Sequence, residues 1–301
     1  MIKLTVPATS ANLGAGFDAF GVALTLYNDV FLDLSEKITV VSLEGTDVPL
    51  DEKNLIVSSA QKLYQICGVK FPGLNVRQLN RIPMARGLGS SSACIAAGLV
   101  GANHLLGNPL TESQLIDFAA RIEGHPDNTT PALLGGLTAS VFDGTHVYWA
   151  RQEVPKELLF CAIVPDMPLS TEMAREILPK TVSYHDAVFN LSRAVLLTLS
   201  LLHGKYENLK IASEDLLHQP YRFPLIRGAE EIRVLCEQLG GDAFYLSGAG
   251  STLMTIVRKE RPFFVERLQK GLRELGFEHY QVFPLSVDHH GVRIMEEAEE
   301  K

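Results

Sequence analysis

Residues 86–93, Arg-Gly-Leu-Gly-Ser-Ser-Ser-Ala, place two glycines and three consecutive serines within eight positions, a composition suited to holding an anion. Glycines at 87 and 89 allow a tight turn and a close backbone approach to a ligand. The serines then open a helix whose first amide N–H groups lack partners and carry positive dipole character. Such a helix start holds phosphate without any side-chain cation. Serine hydroxyls add donors, or an oxygen ligand for Mg²⁺. One serine suffices to cap a helix, so three behind a Gly-x-Gly turn favour an anion site. Two familiar phosphate loops are excluded. A Walker loop closes on Gly-Lys-Ser/Thr, and this segment has no lysine. A dinucleotide fingerprint needs a third glycine, a preceding parallel strand and an acid about 20 residues on. Here the third position is Ser92, the lead-in is Asn80-Arg-Ile-Pro83, and residue 108 is Asn.

A second chemical position is Glu123. Thr111-Glu-Ser-Gln114 is a capping box that opens a helix running to Glu123 and stopping at Gly124. A carboxylate there meets the wrong end of the helix dipole, which a nearby cation would relieve; the alternative is an exposed acid paired with Arg121. Asp186, Asn190 and Arg193 fall at i, i+4 and i+7 as one polar stripe on an apolar helix. They read as a structural network behind a site. The nine histidines show no metal spacing; His125 is expected to orient its loop, and His289-His290 to be exposed beside a turn. Four cysteines lie far apart without a CxxC pair, which fits reduced thiols in a cytoplasmic protein.

These residues need a scaffold. At 301 residues, with 46% hydrophobic and 21% charged residues, the chain is expected to build two fused cores, divided near Val154-Pro155 into 1–154 and 155–301. Strands are expected at 2–6, 22–34 and 38–43, helices at 54–67, 90–106 and 111–123, and a hairpin from Gly136 to Ala150 around Asp143-Gly144. In the second half, strands are expected at 160–164, 243–247, 251–257 and 280–287. Helices are expected near 171–178, 185–203, 206–217, 225–239 and 263–275. Without regular βαβ alternation the class is α+β. The end, 296–301, reads as a frayed tail. A net charge of −8 without a basic cluster argues against nucleic acid. The apolar stretches near 92–106 and 188–202 are interrupted by polar residues, which argues against a membrane span.

At this point the sequence resembles a family. Ile82-Pro-Met-Ala-Arg-Gly-Leu-Gly-Ser-Ser-Ser-Ala93 is similar to the ATP-binding motif of the GHMP kinases. Pro7-Ala-Thr-Ser-Ala-Asn-Leu-Gly-Ala-Gly-Phe-Asp18, Glu123-Gly-His-Pro-Asp-Asn128 running on to Gly136, and Ser247-Gly-Ala-Gly-Ser-Thr252 resemble, within them, the homoserine kinases. The departures are Ala15, in place of proline, and Thr129-Thr130, in place of small apolar residues.

The resemblance implies a two-domain GHMP fold: an N-terminal domain like ribosomal protein S5 domain 2 and a ferredoxin-like C-terminal domain. It implies ATP and Mg²⁺ as cofactor and metal, L-homoserine as acceptor, no nucleic-acid or membrane partner, and room for a homodimer. By the same resemblance Pro83, Arg86, Gly87, Leu88, Gly89, Ser90, Ser91 and Ser92 hold ATP, with Asn54 a candidate for the adenine rim. Ser91 and Glu123 hold the metal. Arg175 and Arg222 take the homoserine carboxylate, a match to bidentate arginine geometry. Asp18, Asn12 and Asn128 take its amino and hydroxyl ends, although Asn12 alone reads as a turn residue. Asn128, Asp18 and Glu123 are the catalytic candidates, without an assigned base. The rivals are another GHMP kinase of the mevalonate type, whose acceptor has no ammonium to explain Asp18, and a nucleotide- or amino-acid-binding module without transfer.

Overall fold

In the computed structural model, which describes residues 1–296, the chain opens with two long strands, β1 (Ile2–Ala11) and β2 (Phe20–Leu34). They pair antiparallel from Ile2↔Leu32 to Ala11↔Gly21, with a bulge between Pro7 and Ala8. Leu4, Val6, Val22, Leu24 and Leu32 are fully buried, so both strands are central. The first half continues with β3 (Thr39–Ser42), α1 (Leu55–Ile66), β4 (Leu74–Leu79), α2 (Ser90–Leu105), α3 (Glu112–Glu123) and α4 (Thr129–Leu134). A hairpin of β5 (Leu137–Phe142) and β6 (Val147–Gln152) ends it.

The second half holds β7 (Leu158–Val164), α5 (Thr171–Glu176), α6 (Tyr184–His203), α7 (Leu209–Ala212), α8 (Gln219–Arg222), α9 (Ala229–Gln238), β8 (Ala243–Leu246), β9 (Leu253–Arg258), α10 (Phe264–Glu274) and β10 (Gln281–Leu285). Its antiparallel sheet has the order β10-β7-β9-β8, the arrangement of a ferredoxin-like domain whose first crossover has been enlarged into α5–α9. A last strand, β11 (Arg293–Glu296), returns to pair with β1. It completes the order β11-β1-β2-β4-β3, while β5 and β6 extend from the other half of β2.

Most expected elements are present. Four departures have local causes. β4 escapes a propensity reading because Asn75, Arg77 and Gln78 interrupt it, yet Leu74, Val76 and Gln78 alternate inward. The helix expected over 206–217 breaks after Ala212, because the Asp215 carboxylate takes the backbone N–H groups of Leu217, His218 and Gln219, the competition with helix bonding typical of a short acid. The helix expected from 225 starts only after Gly228, which is left-handed at φ 74°. β11 reaches Glu296, the first residue of the expected tail, and 297–301 lie outside the described residues. It also crosses the division expected at residues 154 and 155, since a strand from the far end of the chain belongs to the first sheet.

α2 carries the site and is set by small residues. A Cβ on Gly98 would come within 2.4 Å of the Ile56 carbonyl oxygen, and one on Gly101 within 2.2 Å of Leu32 Cδ1. The helix therefore lies directly against α1 and β2, which fixes where its first turn points. Gly98→Val should destabilise the protein by about 1–3 kcal/mol, read as a lower denaturation midpoint in urea with an unchanged slope; an unchanged midpoint would refute this packing.

Candidate functional site

A cleft of about 630 Å³, open to solvent, lies where the two halves meet at the start of α2. Gly89 precedes α2 at φ 69° and no side chain caps the helix. The first helical N–H that returns to the turn is that of Ala93, bonded to the Gly89 carbonyl. The amides of Ser90, Ser91 and Ser92 therefore point outward, as helix geometry requires. The turn is held by backbone packing: a Cβ on Gly87 would lie 2.3 Å from the Ser247 carbonyl oxygen, and one on Gly89 1.9 Å from Thr9 Oγ1. Thr252 N–H donates to the Arg86 carbonyl, and Ser247 Oγ to that of Gly87 at 2.6 Å. Two glycine-rich segments, distant in sequence, thus form one wall.

Glu123 ends α3 and faces this turn. Ser91 Oγ donates to its Oε2 at 3.0 Å and Ser92 Oγ to its Oε1 at 3.2 Å. The carboxylate sits at the unfavourable end of α3 but the favourable end of α2, which offsets the cost read from the sequence. Arg121 does not pair with it; that guanidinium donates to the Thr145 carbonyl.

Across the cleft the charges are arranged in a second layer. Asp18, at φ 55°, forms a bidentate pair with Arg175 at 2.8 and 3.0 Å. Asn12, at φ 71°, accepts the Asp18 N–H at 3.0 Å and donates to the Gly248 carbonyl. It is both a turn residue and part of the cleft. Arg175 rides on α5, begun by the Ser170 cap. Arg222 is 2% exposed. Its Nε donates to the Ala174 carbonyl at 2.9 Å and Nη1 to that of Gly248 at 3.2 Å. The acids Asp18, Asp215 and Asp127 act on it only through space, and burial, then the charge of Arg175, push it down to about 10. A buried guanidinium without a carboxylate partner costs free energy until an anion arrives.

Phe17 carries both arginines, with Arg222 5.3 Å and Arg175 5.9 Å from its ring centre. Its other contact is His218, stacked at 5.0 Å. Burial lowers the His218 pKa, and the ring accepts from Arg222 at Nδ1 while donating from Nε2 to the Gly14 carbonyl.

Asn128 begins α4, 9% exposed, with Oδ1 accepting from Thr9 Oγ1 at 2.7 Å. His125 and Asp127, which sequence reasoning left outside the site, line the same cleft and lie 2.5 Å apart. Burial opposes charge on His125, but the hydrogen bond and charge of Asp127 outweigh it, so its pKa is raised.

Three expected ATP-loop residues lie off the cleft. Arg86 clamps the two halves together, donating to the carbonyls of Pro165 and Asp166. Pro83 lies beside it, and Leu88 is fully buried. Asn54 does not reach the cleft: it caps α1 by accepting from Ile56 N–H, and its amide donates to the Pro49 carbonyl and Gln78. Behind the cleft, Asn190 donates to the Ala15 carbonyl and to Asp215, and Arg193 pairs with Glu214, the network expected of that stripe. The signal that could have added Gly248, Ala249 and Gly250 was the second glycine-rich run.

The GHMP kinases N terminal domain matches residues 54–136, and the GHMP kinases C terminal domain matches residues 198–274. A homoserine kinase of Clostridium beijerinckii is 42% identical over 301 residues, covering 98% of this chain and 99% of that protein. One of Caldicellulosiruptor bescii is 40% identical over 297 residues, with 98% and 97% covered. The crystal structure of homoserine kinase from Cytophaga hutchinsonii superposes with a TM-score of 0.88 at 28% identity, covering 98% and 97% of the two chains.

The raised His125 pKa has a defined sign. The pair with Asp127 should stabilise the fold fully below the unfolded histidine value of about 6.5 and lose that contribution as pH rises through the folded midpoint. In ¹H–¹⁵N spectra of the imidazole, His125 should titrate above its ordinary value in the wild type, and lower in Asp127→Asn. Equal midpoints would show that Asp127 does not hold the proton.

Proposed function

The chain belongs to the homoserine kinases of the GHMP family and carries their activity, ATP-dependent phosphorylation of the L-homoserine side-chain hydroxyl in threonine biosynthesis; we propose that its cleft divides this work among three groups of residues. The observation that carries the assignment is the pairing, in one cleft, of an uncapped α2 terminus with a buried Arg222 whose hydrogen-bond partners are carbonyls and a histidine rather than a carboxylate. One end accepts a polyphosphate, the other a carboxylate.

The amides of Ser90–Ser92 hold the ATP phosphates, with the Gly87–Gly89 turn bringing the backbone close. Glu123 stands at the same terminus, so an incoming polyphosphate meets a carboxylate, and a divalent cation between them removes the repulsion. The donor set fits Mg²⁺: Ser91 Oγ and Glu123 Oε2 are 3.0 Å apart, and adjacent ligands of an octahedral ion with bonds near 2.0–2.1 Å lie about 2.9 Å apart. When bound, the ion neutralises charge on the transferring group. Ser91 and Glu123 would be its protein ligands.

Homoserine is a zwitterion. Its carboxylate meets Arg222 and Arg175, and its ammonium meets Asp18, so the Asp18–Arg175 pair is exchanged for one substrate molecule carrying both charges. Asn12 holds the Asp18 backbone in its left-handed turn. With Asn128 Oδ1 engaged by Thr9, the amide nitrogen is the end left to meet the acceptor hydroxyl. Transfer through a loose transition state needs alignment and charge neutralisation more than a strong base, which agrees with a cleft in which no lysine lies beside Asp18 or Asp127. Residues 1–154, with β11 added back, form the ATP-binding unit, and residues 155–292 the acceptor-side unit. The acidic chain works in the cytoplasm; among the described residues no helix is long and apolar enough to cross a membrane.

A coupled ADP-release assay with L-homoserine, mevalonate and L-serine tests the assignment, and turnover should require homoserine. Asp18→Asn should raise the homoserine KM roughly ten- to a hundredfold, the equivalent of about 1.5–3 kcal/mol for a charged hydrogen bond, with kcat less affected. Abolished turnover at unchanged KM would remove Asp18 from the orienting role. Glu123→Gln should lower kcat by roughly 10²-fold or more and raise the Mg²⁺ concentration needed for half activity; an unaltered Mg²⁺ dependence would exclude it as a ligand.

A further inference from the structure

One buried titratable side chain, His218, stands behind the acceptor end of the cleft without lining it. Holding its own loop does not require the ring. Asp215 already takes the amides of Leu217, His218 and Gln219, and the Gln219 side chain ties the Ser213 carbonyl to the Leu246 N–H. The imidazole spans instead to two other segments. Nε2 donates at 3.0 Å to the Gly14 carbonyl, in the turn that also carries Asn12, Phe17 and Asp18. Nδ1 accepts from Arg222 Nη1 at 3.5 Å, and the ring face stacks on Phe17. The donors of Arg222 can then be followed one by one. A guanidinium has five N–H groups. That on Nε goes to the Ala174 carbonyl, and the two on Nη1 go to the Gly248 carbonyl and to His218. The two on Nη2 have no hydrogen-bond partner among the described residues. Without the ring, Nη1 would also hold a free hydrogen, and the guanidinium would offer either of two nitrogens.

We propose that His218 is a positioning residue of the acceptor site. As a neutral imidazole protonated at Nε2, it leaves Arg222 one free nitrogen for the substrate carboxylate and ties that guanidinium to the turn that presents Asp18 to the ammonium. This rests on the reading of the cleft as a homoserine site, and it names what sets the spacing between the two charged ends. Only one tautomer fits. The Gly14 carbonyl requires a proton on Nε2, and the bond made by one ring nitrogen decides the state of the other. A proton on Nδ1 would set N–H against N–H at Arg222 and place two cations side by side in a buried layer. Asp215 opposes this, with Oδ2 3.6 Å from Nε2, but its oxygens are engaged by three amides and by Asn190. Burial, aided by the charge of Arg222, outweighs the pull of Asp215, the Gly14 carbonyl and Asp18, so the ring titrates below its ordinary value. His218 touches neither the nucleotide loop nor the α2 terminus, so its loss should change the affinity for the acceptor and spare the transfer step.

Steady-state kinetics of the full chain, with ¹⁵N spectra of its imidazoles, test this. His218→Phe keeps a flat ring against Phe17 and removes both hydrogen bonds. Its homoserine KM should rise roughly five- to twentyfold, with kcat and the ATP KM within about twofold of the wild type. His218→Asn, whose Oδ1 stands where Nδ1 does, should bring the homoserine KM back to within about threefold of the wild type. An unchanged homoserine KM in His218→Phe, an ATP KM that rises in step with it, or an Asn variant no better than Phe would overturn the proposal. In the wild type, His218 should give the signals of a neutral ring protonated at Nε2 from about pH 8 down to about pH 6. An imidazolium or an Nδ1 proton in that range overturns the proposal without any variant, so the test stands even where a substitution prevents folding. A wild type silent with homoserine would sink the reading of the cleft as well, whereas an active wild type with an insensitive Phe variant would sink the positioning role alone.

Discussion

An uncapped helix start next to a carboxylate is the constraint on which this molecule turns. α2 begins without a side-chain cap, leaving a concentration of positive dipole that must be met by something. In the protein alone, Glu123 meets it through Ser91 and Ser92. A further anion brought to this terminus would meet the Glu123 carboxylate, a repulsion that a cation between them would relieve. The glycines at 98 and 101 belong to the same constraint, since the first turn of α2 is aimed by how closely its body lies on α1 and β2.

The acceptor side obeys a related logic with opposite signs. Arg222 is buried without a carboxylate beside it, while Arg175 and Asp18 neutralise one another at the cleft edge. Phe17 lies against both guanidinium groups and keeps them in register.

Much of this was legible in the sequence, and the limits are physical. The serine loop, the capping box before α3, the end of that helix at Glu123 and the stripe of Asp186, Asn190 and Arg193 are local patterns, and local patterns survive folding. The α+β class followed from the order of elements. What could not be read depended on distant contacts. Asn54 looked available for a nucleotide because its partners, Pro49 and Gln78, come together only in the fold. Arg86 looked like a phosphate ligand until Pro165 and Asp166 were placed beside it. His125 and Asp127 lay inside the Glu123–Asn128 motif, but nothing local showed that their side chains meet in the cleft. β4 was hidden by Asn75 and Arg77 on its outward face and by Gln78 turned inward, and the break after α7 by one aspartate whose side chain competes for three amides.

The return of β11 to the edge of β1 joins residues from opposite ends of the described chain, Ile2 opposite Glu296. On the ribosome, which delivers the chain from its amino end, the first sheet must wait with an open border while the entire second half is made. That border has bare amide and carbonyl groups able to recruit a stray strand. Synthesis order thus exposes nascent chains to mispairing with one another for as long as residues 293–296 are still to come, and only their arrival shuts the door.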